Sequence, residues 1–290
     1  MNTNHNLHAN QTKEQIMDGL ADLHIHSTYS DGMYTPQELA AMAKAAGITA
    51  MALTDHDTLK GVTEMAAAAA AAGIGFIHGV EFSTRWKERQ IHVLGYGVDI
   101  NNKVLTDKLE YVRGIRRNRF HKILQRLHEM GMDVDLPEPE EGHCAVGRPH
   151  IARAMVVQGY VKTVQEAFDL YIGEGKPAYQ PQTKITPPEA VSIIHQAGGL
   201  AIQAHPEEIG NRDIALELLD TLPYDGIEVY HPSAKEKEAE KFWLQIARSR
   251  NLLITGGSDF HGNPGRFPEQ ISEWKVSCKN VQDFLAYFKL

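Results

Sequence analysis

The chain has 290 residues, of which 42% are hydrophobic and 23% are charged, and this composition is typical of a globular protein. Its formal net charge of −8 argues against sequence-independent binding to duplex DNA, which requires many cationic contacts. The two cysteines, Cys144 and Cys278, match no zinc spacing and suggest no disulfide framework, so we expect a cytoplasmic protein. Residues 1–19 are polar and lack the apolar segment of a signal peptide, so we expect a mobile tail there and no membrane span.

Short apolar runs alternate with helical patterns from Ala21 onwards, which predicts an α/β protein with a mostly parallel sheet or barrel. Thr35 and Glu38 have the spacing of a capping box at the start of the first helix, and Gly47 should end that helix. The predicted strands of this first part cover residues 21–26, 48–54, 74–81 and 90–98.

The pattern changes near residue 100, where one long helix and then two shorter ones are predicted. Thr163 and Glu166 form a further capping box there, and the strand-and-helix alternation returns at Thr186. We therefore predict a mobile tail over 1–19, a barrel built from 20–99 and 186–290, and a helical insert over 100–185 that contributes substrate contacts.

Polar side chains cluster in the predicted fold at the strand ends where parallel α/β proteins build their active sites. His24 and His26 form an H-x-H pair on an extended segment, so both imidazoles lie on one face. The full set of these residues is His24, His26, His56, Glu81, His92, His205, His231, Asp259 and His261. Imidazole and carboxylate ligands without cysteine favour a multi-metal site for Mn²⁺, Zn²⁺ or Fe²⁺.

The motifs around these residues resemble those of the PHP (polymerase and histidinol phosphatase) metal-dependent phosphoesterases. They are D-L-H-I-H-S-x-x-S-D-G, A-L-T-D-H-D, G-V-E-F-S, I-H-V-L-G-Y, A-H-P and G-S-D-F-H, and they occur in the order of that family. The resemblance implies a distorted (β/α)₇ barrel. Within the family, the chain looks most like the branch with a helical insert, whose members act as 3′,5′-nucleoside bisphosphate phosphatases and as 5′→3′ exoribonucleases on short RNA.

The resemblance implies three metal positions. The first would be held by His24, His26, Glu81 and Asp259. Glu81 would bridge to the second, which His92 and His205 complete, and the third would be held by Asp31, His56 and His261. Asp31 stands where some family members have histidine, so occupancy by two ions and occupancy by three both stay open. Mn²⁺ is the expected metal.

The chemistry expected of such a site is hydrolysis of a phosphate ester by a hydroxide that bridges two metal ions. His231 is a candidate general acid by its position, although a structural role is equally compatible with the sequence. Arg148 and Lys176 lie in glycine-rich segments of the insert and are candidates for binding a second, non-scissile phosphate, with surface salt bridges as the alternative. His150 could assist them or merely pack. The basic run 113–126 is expected to be a solvated helix face, with an RNA track as the alternative.

Several functions remain open from the sequence. The favoured one is a phosphoesterase that acts on a nucleotide or a short oligoribonucleotide. The alternatives are a phosphatase for histidinol phosphate or another small phosphomonoester, and a non-catalytic metal-binding regulatory module. A hydrolase of C–N bonds is disfavoured because no lysine at a strand end is a candidate for carbamylation. The sequence does not determine the oligomeric state.

Overall fold

The structure is a computed structural model, and it describes residues 16–136, 147–181 and 185–290. Eight strands form one sheet in the order β7-β6-β5-β4-β3-β2-β1-β8. They are β1 (Leu20–Asp22), β2 (Ile48–Leu53), β3 (Gly75–Trp86), β4 (Arg89–Tyr96), β5 (Leu200–Gln203), β6 (Gly226–Tyr230), β7 (Leu253–Gly256) and β8 (Val276–Ser277).

The two ends of the sheet meet beyond β1 and β7. The Leu23 N–H donates to the Gly256 carbonyl at 3.2 Å, and Ile25 pairs with Phe260 in a parallel bridge. Strands β1 to β7 therefore form a nearly closed barrel, and β8 pairs antiparallel with β1. This confirms the predicted distorted (β/α)₇ barrel.

One strand departs from the predicted parallel order, because β4 runs antiparallel to both β3 and β5. A two-residue turn at Lys87 and Glu88, with φ of 44° and 61°, joins β3 directly to β4. Hairpin turns of this kind usually contain asparagine, aspartate or glycine, and their absence hid the turn in the sequence. His92 therefore lies opposite Ser83 in the first half of β4, and not at the carboxyl end of a parallel strand. It still lies at the same rim, because an antiparallel strand begins where its neighbours end.

Helices cover the outside of the barrel and form the insert. They are α1 (Pro36–Ala45), α2 (Val62–Ala72), α3 (Lys103–Glu129), α4 (Arg148–Val157), α5 (Val164–Ala167), α6 (Pro187–Gln196), α7 (Arg212–Thr221), α8 (Lys237–Ser249) and α9 (Gln282–Tyr287). The predicted capping box of α1 is present, since the Glu38 carboxylate accepts from the Thr35 N–H at 2.8 Å and the Thr35 hydroxyl accepts from the Glu38 N–H at 3.3 Å. Gly47 follows with φ of +79°, a conformation that favours glycine.

The long helix α3 joins the insert to the barrel. Leu105 and Leu109 in its first turns pack into a core shared with β3, β4 and α6. Phe120 and Leu127 in its second half pack instead against α4, in a separate core of the insert. The second predicted capping box is half formed: the Thr163 hydroxyl accepts from the Glu166 N–H at 3.1 Å, but the Glu166 carboxylate accepts from the Lys162 N–H.

The start of the described chain packs against the barrel. Ile16 is buried, and its carbonyl accepts from the Thr49 hydroxyl at 3.0 Å. The remainder of the predicted tail, residues 1–15, lies outside the described residues, as does Cys144 in the predicted insert. In the described ranges, no helix has both the length and the apolar character that crossing a membrane requires.

Candidate active site

The first group of predicted ligands comes together at the rim of the barrel. His24 Nε2 and His26 Nε2 are 3.2 Å apart, and each lies close to Glu81 Oε2, at 3.4 and 3.2 Å. Asp259 Oδ1 is 3.1 Å from His26 Nε2 and 3.4 Å from His24 Nε2. These four atoms surround one point, so the four residues can bind a single ion.

The second group shares Glu81 with the first. Glu81 Oε1 lies 2.6 Å from His92 Nδ1 and 3.1 Å from His205 Nε2, and the two imidazole nitrogens are 3.2 Å apart. The Glu81 carboxylate therefore turns one oxygen to each group. This is the arrangement expected of a bridging ligand.

The third group is looser. Asp31 Oδ1 is 3.1 Å from His261 Nε2 and 3.9 Å from His56 Nε2. His26 also borders this group, with its Nδ1 4.0 Å from Asp31 Oδ1. The structure thus brings all nine predicted metal ligands to one rim, although the ligand assignments themselves remain predictions.

Several buried polar atoms at this rim have no partner that satisfies them. Among the described residues, the atoms without a hydrogen bond of normal geometry include Asp31 Oδ1, His56 Nδ1, Glu81 Oε2, His205 Nδ1, His231 Nε2 and His261 Nε2. The guanidinium of Arg266 also lies against Asp259 and neutralises the charge of its carboxylate. Orphaned buried acceptors that converge on shared points are the environment that divalent cations satisfy, so this residue set fits metal ions.

The protonation states of Glu81, His92 and His261 also suit cation binding. Burial alone would raise the pKa of Glu81, but the imidazoles of His92 and His56 outweigh it and hold this pKa well below its usual range. Burial lowers the pKa of His92 and of His261 to about 4, so both are neutral at pH 7. The carboxylates outweigh burial at His26 and raise its pKa to about 9. Metal binding here would therefore release protons, because ligating imidazoles must be neutral.

Buried carboxylates fix the ligand-bearing loops through hydrogen bonds to serine residues in them. Asp22 accepts from both the N–H and the hydroxyl of Ser258, at 2.8 and 2.6 Å. Asp55 binds Ser27 with the same two distances and also accepts from the Ser30 hydroxyl. Each pair fixes a loop next to a predicted ligand, and the sequence motifs contain these residues although their role was not predicted.

Glu228 is the most important residue that the sequence interpretation missed. Its Oε1 is 3.0 Å from His24 Nδ1, and its Oε2 accepts from the His205 N–H at 3.0 Å. A carboxylate that accepts from one ring nitrogen directs the other nitrogen towards a metal. The available signal was a charged residue inside the otherwise apolar strand G-I-E-V-Y, where burial demands a partner.

His231 is buried beside the first group of ligands. Its Nδ1 lies 3.1 Å from Ser233 N and 2.8 Å from Ser233 Oγ, so Ser233 fixes the orientation of the ring and of its Nε2. That nitrogen lies 3.9 Å from Asp259 Oδ2 and is buried. The Nε2 atom of His231 is therefore directed towards the ligand cluster.

The insert contributes a cationic and aromatic surface. The Arg148 guanidinium lies over the rings of Phe168 and Tyr179, at 5.3 and 5.7 Å from their centres, and Arg119 lies over Tyr179 at 5.4 Å. Burial lowers the pKa of Arg119 to about 9, and the nearby charges of Arg148 and Arg116 act in the same direction. Closely spaced guanidinium groups of this kind favour an anion between them.

The other two predicted substrate contacts flank this surface. Lys176 is exposed, in a turn where its N–H donates to the Gly173 carbonyl at 3.1 Å. Arg148 reaches the same loop, because its Nη1 donates to the Ile172 carbonyl at 3.3 Å. His150 lies at the start of α4, and its Nδ1 accepts from the Gly147 N–H at 3.2 Å.

Comparison with known proteins identifies the family. The family model described as PHP domain matches residues 22–170. A 3′,5′-nucleoside bisphosphate phosphatase of Chromobacterium violaceum is 36% identical over 278 residues, which cover 90% of this chain and 94% of that protein. The chain belongs to the PHP family.

Further matches extend the PHP relationship over most of the chain. A 5′-3′ exoribonuclease of Haemophilus influenzae is 35% identical over 249 residues, 83% of this PHP chain and 89% of that protein. The crystal structure of a Bifidobacterium adolescentis protein, assigned there as a metal-dependent phosphoesterase, superposes with a TM-score of 0.81 at 29% identity. That match covers 92% of this chain and 95% of the other. This PHP protein is thus a metal-dependent hydrolase of phosphoric esters, as the motifs indicated.

Proposed function

We propose that this PHP enzyme hydrolyses a phosphate ester of a nucleotide. The substrate would be a 3′,5′-nucleoside bisphosphate, which loses its 3′-phosphate, or a short RNA that is degraded from its 5′ end. The observation that carries this proposal is the pairing in one molecule of a cluster that can hold metal ions, at the rim of the barrel, with the arginine surface of the insert, which can bind a second phosphate. The names of the two relatives above support the same substrate class.

The two surfaces adjoin each other through α3. Arg116 contacts Asp57 and Ser83 beside the cluster, and Arg119 lies one turn further along the same helix. Arg148 and Arg119 flank Tyr179, so a phosphate bound there would leave the nucleotide next to an aromatic ring that can stack on a base. We propose that Arg148 and Lys176 bind the non-scissile phosphate and that the neutral imidazole of His150 donates a hydrogen bond to the substrate beside them.

The ligand set supports two or three divalent ions, and we propose Mn²⁺ because oxygen and imidazole ligands occur here without thiolates. Such ions supply Lewis acidity at the phosphoryl oxygens and lower the pKa of an attacking water. The residues proposed to hold them are His24, His26, Asp31, His56, Glu81, His92, His205, Asp259 and His261. His231 is then the proposed general acid: as an imidazolium it would donate from Nδ1 to Ser233 Oγ and give its Nε2 proton to the departing alkoxide, which leaves a neutral imidazole.

The cytoplasmic location remains a prediction from the sequence. In the described chain, Cys278 is a free, buried thiol, which is compatible with a reducing compartment.

The test is a substrate panel with the purified protein in Mn²⁺. Adenosine 3′,5′-bisphosphate and a short 5′-phosphorylated RNA are compared with histidinol phosphate by phosphate or nucleotide release. We expect kcat/KM to be highest for a substrate with two phosphate groups. An equal or higher kcat/KM for histidinol phosphate would overturn the nucleotide assignment and favour the small-phosphomonoester alternative.

A single substitution tests the second phosphate contact. Arg148→Ala should raise KM for adenosine 3′,5′-bisphosphate about 10- to 100-fold, because a hydrogen bond to a charged group contributes roughly 1.5–3 kcal/mol. KM for adenosine 3′-monophosphate, which lacks the second phosphate, should change little. Arg126→Ala is the control, since Arg126 is exposed on α3 and pairs with Glu129. Equal changes in KM for both substrates would remove Arg148 from this role.

A further inference from the structure

One arginine of the insert reaches into the barrel beside a predicted ligand. Arg116 of α3 donates from Nε to Asp57 Oδ2 and from Nη2 to Ser83 Oγ, both at 2.6 Å. Asp57 is fully buried and directly follows His56 in the chain. The side chain of Arg116 is only 11% exposed, so this is an interior contact between the insert and the barrel.

Asp57 has a constrained backbone conformation directly after His56. Its φ of +53° is in the left-handed region, which costs free energy for a residue other than glycine. The Asp57 N–H donates to the Glu81 carbonyl at 2.9 Å, and its Oδ1 accepts from the Ser83 N–H at 3.0 Å. Arg116 supplies a positive charge to the buried carboxylate on which this arrangement depends.

A second arginine of the insert makes the corresponding contact on the other side of the cluster. Arg153 of α4 donates from Nη1 to the Asp31 carbonyl at 3.0 Å and to Asn263 Oδ1 at 2.7 Å. Asp31 is itself a predicted ligand, and Asn263 lies two residues after His261. One guanidinium therefore links α4 to the loops that follow β1 and β7.

Together the two arginines touch all three loops of the third ligand group, which comprises Asp31, His56 and His261. By contrast, the ligands of the other two groups are fixed mainly within the barrel. Glu81 and His92 lie on paired strands, and Glu228 holds His24 and the backbone of His205. The contacts of the insert are thus concentrated on the group with the longest ligand-to-ligand distances.

We propose that the helical insert sets the geometry of the third metal position, and that Arg116 and Arg153 are the positioning residues through which it does so. The inference rests on the proposed ligand assignment. Loss of either contact leaves the ligands present but frees the loops that carry them. Outer contacts of this kind typically contribute 10- to 100-fold to metal affinity.

The experiment measures metal binding without substrate. Metal-free wild type, Arg116→Lys and Arg153→Lys are titrated with Mn²⁺ by calorimetry, and bound Mn²⁺ is counted by elemental analysis. Lysine keeps the charge, but its single nitrogen cannot replace both Nε and Nη2 of Arg116, and its ammonium does not reach as far as Nη1 of Arg153. We expect three Mn²⁺ per wild-type chain, and in each variant a 10- to 100-fold weaker Kd for the weakest ion, with the two tighter ions unchanged.

Matched controls separate positioning from general damage. Arg126→Lys replaces an exposed arginine of α3 and should leave all Mn²⁺ affinities unchanged. Asn263→Ala removes only one acceptor of Arg153 and should weaken the same ion without altering α4. The proposal is overturned if both arginine variants bind Mn²⁺ as wild type does, if all ions weaken equally, or if wild type binds no more than two ions. Because no substrate is present, failure of the nucleotide assignment would not produce any of these results.

Discussion

At the scale of single residues, the ligand cluster depends on carboxylates that contact no metal themselves. Glu228 is the clearest case, because one buried side chain orients His24 through Nδ1 and fixes the backbone of His205. Ligands of the first and second groups are thereby held by a residue more than 20 positions away from either in the chain. Removal of the charge of Glu228 should therefore weaken metal binding more than it destabilises the fold.

Glu228→Gln tests this role. The amide keeps the size of the side chain but directs a donor either at His24 Nδ1 or at the His205 N–H, both of which donate in the wild type. We expect Mn²⁺ affinity to fall about 10- to 100-fold, as for other outer contacts of metal-binding histidines. Calorimetric titration of the metal-free protein measures this affinity. Glu217→Gln is the control at the surface, and an unchanged Kd in Glu228→Gln would show that His24 is held by other contacts.

At the scale of elements, the start of α4 combines a substrate candidate with a titratable group. Gly147 is the N-cap residue directly before the helix, and its N–H donates to His150 Nδ1 in the first turn. Burial lowers the pKa of His150 to about 4, and the charge of Arg153 acts in the same direction. His150 is therefore neutral at pH 7 and is a hydrogen-bond donor through Nε2.

This shift predicts a pH dependence of stability. The pKa of His150 is about 4 in the folded protein against 6.5 for the ordinary value, so between these values the unfolded chain binds more protons. The contribution of His150 to the free energy of unfolding is complete above pH 6.5 and is lost as the pH falls towards 4. Between pH 6.5 and pH 5, the free energy of unfolding of His150→Gln should therefore fall by about 1.5 kcal/mol less than that of the wild type. Urea unfolding of the EDTA-treated proteins at both pH values measures this, and identical losses would contradict the assigned shift.

At the scale of the whole molecule, the barrel and the insert have separate cores that α3 joins. The nine predicted ligands lie at one rim of the barrel. Several buried carboxylate and imidazole atoms there have no hydrogen-bond partner in the protein. Such a rim destabilises the metal-free chain, since buried polar groups without partners each cost free energy. Cation binding and folding should therefore be linked.

The linkage predicts a rise in melting temperature with Mn²⁺. At a concentration 100-fold above Kd, one ion stabilises the folded state by about 2.7 kcal/mol, which corresponds to roughly 5 °C for a chain of this size. Differential scanning calorimetry of the EDTA-treated protein with and without MnCl₂ measures the shift, with KCl of equal ionic strength as the control. A shift below about 1 °C would contradict metal binding at this rim.

The sequence by itself predicted the local geometry of the site and the rim at which its ligands lie. An H-x-H pair on an extended segment and polar residues at strand ends place ligands on one face through local geometry alone, and this predicted the cluster that the structure contains. Local chemistry also predicted the capping box of α1, in which donors and acceptors three residues apart satisfy each other. The H-x-H pair and the capping box depend on neighbours in the chain, so a single sequence is sufficient to reveal them.

Only the tertiary structure decided the direction of β4 and the partners of the buried charges. Glu228 and His24 are 204 positions apart, and Arg153 is separated from Asp31 by 122. Helical periodicity made the basic run of α3 look like one solvated face, yet Arg116 reaches a buried carboxylate of the barrel. Contacts of this kind depend on how distant segments pack, and the local pattern of a sequence contains no signal for that distance or direction.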